Sequence, residues 1–195
     1  NEVTSLVEMP KILLGKFEDK YLSIPEECLT LTMKTNQKYF PIFSKKSGLT
    51  NKFIIISNIS PKNTVQIVDG NEKVIRPRLA DAEFFYNEDK KVGLENFSKK
   101  LDSVIYHNKL GSQEDRAKRV YAKLNHILKV LKLKFDINLS ELCLYSKADL
   151  LSLMVGEFPK LQGIIGRYYS IDINKNENFA NAVEDHYKPR FSNDL

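Results

Sequence analysis

Apolar residues change their spacing along this chain, from near-continuous or alternating runs to a recurrence at every third or fourth position, and the change divides it into two parts. Residues 2–8 read as the end of a helix stopped by Pro10, and residues 11–17 (KILLGKF) as a short buried strand. Pro25 in a first helical turn, followed by Glu26 and Glu27 at the positive end of the dipole, predicts a helix to about residue 35. Residues 38–44 (KYFPIFS) and 52–58 (KFIIISN) are rich in β-branched and aromatic side chains and flank a polar loop containing Gly48, which predicts a hairpin. Pro41 has no amide hydrogen for a central ladder, so its strand belongs at an edge or carries a bulge.

From residue 63 to about 89 the period is helical, and Val65, Val68, Val74, Ile75, Leu79, Ala82 and Phe85 or Tyr86 approximate one face. Gly70 and Pro77 inside this stretch predict a kink or two consecutive helices. The charged residues 87–91, closed by Gly93, mark a boundary, and no convincing strand follows them. Ser112 with Asp115 three positions on forms a capping-box start, after which Ala117, Val120, Leu124, Ile127, Leu128 and Leu131 recur at helical spacing and predict a buried face. Further helices are expected over about 139–155, 158–169 and 177–187, with Gly156 and residues 174–178 as breaks. The expected class is α+β: a mixed α/β part with a short hairpin or sheet over 1–89, then an all-α part over 90–195.

A hydrophobic content of 42% in 195 residues is enough to build a core. Cys28 and Cys143 have no CxxC spacing, so neither a zinc site nor a disulfide framework is expected, and both read as small buried hydrophobes in a reducing compartment. No apolar run approaches the ~20 residues of a membrane span and no signal peptide is recognisable, so the chain is expected to be cytoplasmic and without a membrane partner. A start at Asn1 and a stop soon after a helical pattern suggest an internal piece of a longer polypeptide.

Net charge of +5 suits a polyanionic partner without demanding one. The positive residues concentrate on the predicted helix after Ser112, where Arg116, Lys118, Arg119, Lys123, Lys129, Lys132 and Lys134 face only Glu114 and Asp115. Such a face can neutralise phosphates and release their counterions, or it can be a solvated face of snorkelling lysines. Arg76 and Arg78 flank Pro77 and are followed by Asp81 and Glu83, so their forks suit either RNA phosphate or an internal carboxylate. The RNA-contact candidates are Lys34, Lys38, Arg76, Arg78, Arg116, Lys118, Arg119 and Lys123. His107, His126 and His186 have no second ligand at helical spacing, and neither a GxSxG elbow nor a phosphate-binding glycine loop is present, so no catalytic or metal residue is expected. Gly163 and Gly166 read as close-packing positions between helices.

Five strings, in order, resemble the β-subunit of the bacterial two-subunit glycyl-tRNA synthetase: residues 1–8 with Pro10, 33–43 (MKTNQKYFPIF), 70–85 (GNEKVIRPRLADAEFF), 147–169 (KADLLSLMVGEFPKLQGIIGRYY) and 184–191 (EDHYKPRF). The resemblance implies an assembly of two α and two β subunits in which α, using ATP and Mg, adenylates glycine, while β binds and positions tRNA(Gly). No cofactor is then expected on this chain itself. Residues 1–89 would close a region similar to the phenylalanyl-synthetase β-subunit, and 90–195 would cover a helical HD-like domain. Where an active HD phosphohydrolase carries its His-Asp pair, this chain resembles it only as Ala148-Asp149, which implies a scaffold or RNA surface rather than a metal-dependent hydrolase. A structural spacer that joins subunits without touching RNA is the other reading.

Overall fold

A computed structural model of the chain describes residues 2–59, 63–190 and 192. The chain folds as two compact units, Asn1–Tyr86 and Asn87–Leu195. Asn1 and Phe191, which belong to two of the strings quoted above, lie outside the described residues.

The first unit runs α1 (Glu2–Leu6), β1 (Lys11–Lys16), a 3-10 turn (Asp19–Ser23), α2 (Glu26–Gln37), β2 (Phe40–Ser44), β3 (Gly48–Ser57) and then α3 (Thr64–Val92), of which residues to Tyr86 belong here. The sheet is antiparallel in the order β1-β3-β2, which puts the strand richest in β-branched residues at its centre. Gly15 opposes Phe53 and Leu13 opposes Ile55 on the face turned to the core, whereas Ile12 and Leu14 lie opposite Ile56 and Ile54 on the other face and are 72% and 55% exposed. Strand β1 is therefore an edge strand buried on one side, not the fully buried strand its apolar run predicts. Pro41 lies in the other edge strand, with a register shift between Pro41 and Phe43, so both of its expected accommodations are used.

The core under this sheet is aromatic. A Cβ added at Gly15 would lie 2.6 Å from the Phe53 ring, so glycine is what lets that ring cross the strand. Phe53 also meets Tyr39 and Phe17 at ring-centroid distances of 4.8 and 6.5 Å, while α2 supplies Cys28, Leu29 and Met33 and α3 supplies Ile75, Leu79 and Ala82. Helix α3 is continuous through Gly70 and Pro77, so of the two expected outcomes, a kink or two consecutive helices, the second does not occur. Pro77, and Lys73 whose carbonyl loses its helical partner, lie on the exposed side, so the apolar face stays intact. Val65 and Val74, placed on that face by periodicity, are instead exposed.

In the second unit, α4 (Leu94–Ser98) and a 3-10 turn (Leu101–Ser103) lead into a small antiparallel hairpin, β4 (Ile105–His107) and β5 (Gly111–Ser112). That hairpin corrects the expectation of an all-α second part: it is too short for alternation to show, and Gly111 takes a left-handed φ of 83 where β5 leaves the turn over 108–110. Helix α5 (Gln113–Leu131) starts as expected, with Ser112 Oγ accepting from the Asp115 amide and Asp115 Oδ2 accepting from the Ser112 amide.

Then follow α6 (Leu139–Tyr145), a 3-10 turn (Ala148–Leu151), α7 (Leu153–Glu157), a second turn (Pro159–Leu161), α8 (Ile164–Asp172) and α9 (Glu177–Asp185). The helix predicted over 139–155 is thus divided, because Ser152 turns its side chain to cap α7 through the Val155 amide. The helix predicted from residue 158 starts only after Gly163, whose φ of 81 opens α8. Gly166 does pack closely, since a Cβ there would lie 2.8 Å from Val183 of α9. Tyr145, Met154, Leu161, Ile165, Tyr169 and Phe179 fill the core.

The predicted buried face of α5 is only partly buried. Ala117 is enclosed and Leu124 and Leu128 are half-buried, while Val120, Ile127 and Leu131, with Val130 beside them, are 44–66% exposed. Amphipathicity reports a helix with an apolar stripe; whether another element of the same unit covers the stripe is a matter of tertiary packing. Among the described residues no helix is long and apolar enough to cross a membrane.

Candidate nucleic-acid interface

The candidates of the first unit separate into different local roles. Lys34 and Lys38 lie at the end of α2, where Lys38 adopts a left-handed conformation (φ 56) that terminates the helix and its Nζ pairs with Glu2 Oε1 at 2.9 Å. Both line a cavity of about 460 Å³ walled by Val3, Val7, Tyr39 and Phe40. Arg76 is committed internally: its Nε lies 2.7 Å from Glu18 Oε1 and its other arm 3.5 Å from Glu72 Oε2. Glu72 in turn accepts from the Lys16 amide at 2.9 Å, so this network ties α3 to the end of β1. Arg78, two residues on, is exposed. The carboxylate partner of Arg76 is thus Glu18 and Glu72, distant in sequence or one turn away, and not Asp81 or Glu83.

On α5 of the second unit, Arg116, Arg119 and Lys123 stand at i, i+3 and i+7, which aligns them along one stripe. Arg119 and Lys123 are exposed, and Lys118 on a neighbouring stripe pairs with Glu114 at 2.8 Å. An exposed pair of this kind contributes little and leaves Lys118 available to a phosphate. Arg116 is half-buried, with its guanidinium 5.0 Å from the Tyr106 ring centroid.

Beside Arg116 the second unit closes a cavity of about 270 Å³ that sequence spacing does not reveal. Ala117 and Val120 of α5, Leu142 and Cys143 of α6, Ser146, Lys147, Ala182 and His186 form the rest of its wall. Lys147 Nζ sits 3.6 Å above the Tyr187 ring, and burial, then the charge of Arg116, pulls its pKa down to about 8. His186 keeps one side in solvent, but desolvation of the other, and then the charge of Lys147, holds it below the ordinary histidine value. Its Nδ1 lies 2.6 Å from the Val183 carbonyl, which assigns the ring proton to Nδ1.

Behind Lys147 lies Asp149, fully buried, whose Oδ2 accepts from the Gly163 amide at 2.5 Å. Burial pushes its pKa up to about 6, against that hydrogen bond and the Lys147 charge. Asp149 Oδ1 and the Tyr187 hydroxyl have no hydrogen-bond partner among the described residues. Among those residues, too, no group of three or more His, Cys, Asp or Glu side chains is placed to hold a metal. Spacing along the chain does not bring Lys147, His186 and Tyr187 together with Arg116; the packing of α5, α6 and α9 does.

The family model for the glycyl-tRNA synthetase beta subunit matches residues 1–195. The chain is 50% identical over 195 residues to the glycine–tRNA ligase beta subunit of Dechloromonas aromatica (strain RCB), which covers all of this chain and 27% of that protein. It is 52% identical over 195 residues to the corresponding subunit of Janthinobacterium sp. (strain Marseille), covering 28% of it, and 52% identical over 194 residues to that of Methylobacillus flagellatus, covering 27%. The chain thus spans little more than a quarter of the length of these relatives. With a match along its whole length, the chain belongs to the glycyl-tRNA synthetase beta-subunit family.

Proposed function

We propose that this chain is a portion of a glycine–tRNA ligase beta subunit and helps hold tRNA(Gly) while an alpha subunit, using ATP and Mg, makes and transfers the glycyl group. The family match over residues 1–195 carries the reading, and the Arg116-Arg119-Lys123 stripe supplies a surface of the right charge. The contribution is one of position: a large RNA is oriented so that its terminal ribose meets an adenylate held on another chain. No group of this chain is asked to perform bond making.

The test is tRNA binding by the full-length beta subunit assembled with alpha, across a salt series, with Lys118, Arg119 and Lys123 changed to Glu. Removing a cation that neutralises one phosphate lowers the slope of log affinity against log salt by about one. Expected is a weaker and flatter dependence in the variant; an unchanged line removes α5 from the interface.

The exposed apolar residues Ile127, Val130 and Leu131 favour a second reading, in which α5 joins protein to protein and the unit is a spacer. Loss of subunit assembly with unchanged RNA affinity in Ile127→Gln and Val130→Gln is its signature.

A further inference from the structure

We propose that the cavity between α5, α6 and the end of α9 binds a phosphoryl group, gripped by Arg116 and Lys147. Its location deepens the reading above, because Arg116 is also the first member of the α5 stripe, but it stands on separate observations.

The first is a shortage of counter-charge on the cavity wall itself. Among the described residues neither Arg116 nor Lys147 forms an ion pair, and acids of the surrounding elements are engaged elsewhere: Glu114 with Lys118, Asp115 with the Ser112 amide, Glu141 with Lys175 at 2.6 Å, Asp185 with Lys188 at 2.9 Å, and Glu184 with Arg167. Asp149 does act on Lys147 through its charge, but it is enclosed behind it, away from the cavity wall, and spends one oxygen on the Gly163 amide. A desolvated lysine beside an arginine is an arrangement that costs stability, and an anion entering between them removes that cost.

The second is shape. About 270 Å³ lies below the range of pockets that enclose whole drug-sized or nucleoside-sized ligands, but it admits a tetrahedral oxyanion. The two cations offer complementary donors, a planar fork from Arg116 and a compact ammonium from Lys147. The third is continuity. Arg119 and Lys123 follow Arg116 along the same stripe, so a polyanion with one phosphate in the cavity has further cations in its path.

The phosphoryl group can belong to an RNA backbone or to a small phosphate compound, and two arms of one experiment separate these sources. In the first, inorganic phosphate is titrated into the full-length subunit at constant ionic strength and the thermal midpoint is followed. Wild type is expected to gain a saturable rise. Lys147→Met, which keeps the packing on Tyr187, is expected to start at an equal or higher midpoint and to show no rise, and Arg116→Gln to show a reduced one. A rise in Lys147→Met equal to that in wild type, or none in wild type, overturns the proposal. In the second arm, tRNA binding across a salt series is compared between wild type and Lys147→Met. A slope lower by about one assigns the phosphoryl group to RNA, whereas an unchanged slope beside a positive phosphate titration assigns it to a small compound. If wild type binds no tRNA, the RNA function falls while the phosphate arm still decides the site.

Discussion

Tyr169 and Asp89, 80 positions apart, are joined inside the second unit by a hydrogen bond of 2.8 Å from phenol to carboxylate. Asp89 also accepts from the amides of Leu153 and Met154 at 2.8 and 2.9 Å, so one carboxylate both caps α7 and anchors α8. At 1% exposure it has essentially no water to replace these donors. Replacing Tyr169 by Phe removes one bond and is expected to cost about 1 kcal/mol. Asp89→Asn leaves buried donors facing an amide NH₂ and is expected to cost about 2–3 kcal/mol. Urea unfolding of both variants is the measurement, and an equal or smaller loss in Asp89→Asn contradicts the capping role.

Asp149 provides a pH signature. Its pKa stands at about 6 in the fold against an ordinary 3.8, so the native state holds a proton more tightly than the unfolded chain does. The resulting stabilisation is full below about pH 4 and is lost as pH rises through about 6, an effect on the order of 2–3 kcal/mol. Burial raises the Asp89 carboxyl in the same direction. Asp149→Asn is therefore expected to flatten the stability curve between pH 4 and 6 without abolishing its slope. A parallel curve for the variant places the titration elsewhere.

Gly15 and Phe53 form a tight steric pair in the first unit. Gly15→Ala introduces a methyl carbon 2.6 Å from a fully buried ring and is expected to cost about 1–3 kcal/mol through displacement of that ring. Shortening the ring in Gly15→Ala/Phe53→Leu is expected to cost less than the sum of the two single changes. Strict additivity in this double-mutant cycle contradicts the clash.

The exposed stripe of α5 makes the opposite prediction. Ile127→Gln and Val130→Gln, at positions 50% and 66% exposed, are expected to change stability by less than about 0.5 kcal/mol. Had the stripe packed within the unit, each would have cost several-fold more. Thermal unfolding of the two variants distinguishes the cases.

Local chemistry was legible in the sequence wherever neighbours along the chain suffice to define it. The Ser112–Asp115 cap, the edge placement of Pro41, the β2–β3 hairpin and the amphipathic character of α5 all follow from interactions spanning a few residues. Long matching strings likewise carried the family, because many positions agree in order. Tertiary structure alone decided which apolar faces are covered: Ile12, Leu14 and Ile127 have the same hydrophobicity exposed as they would have buried. It also decided that Arg76 serves Glu18, that Asp89 organises α7 and α8, and that Arg116 and Lys147 share a cavity. Each of these joins residues tens of positions apart, and a periodic pattern specifies the face a helix presents but not the element that meets it.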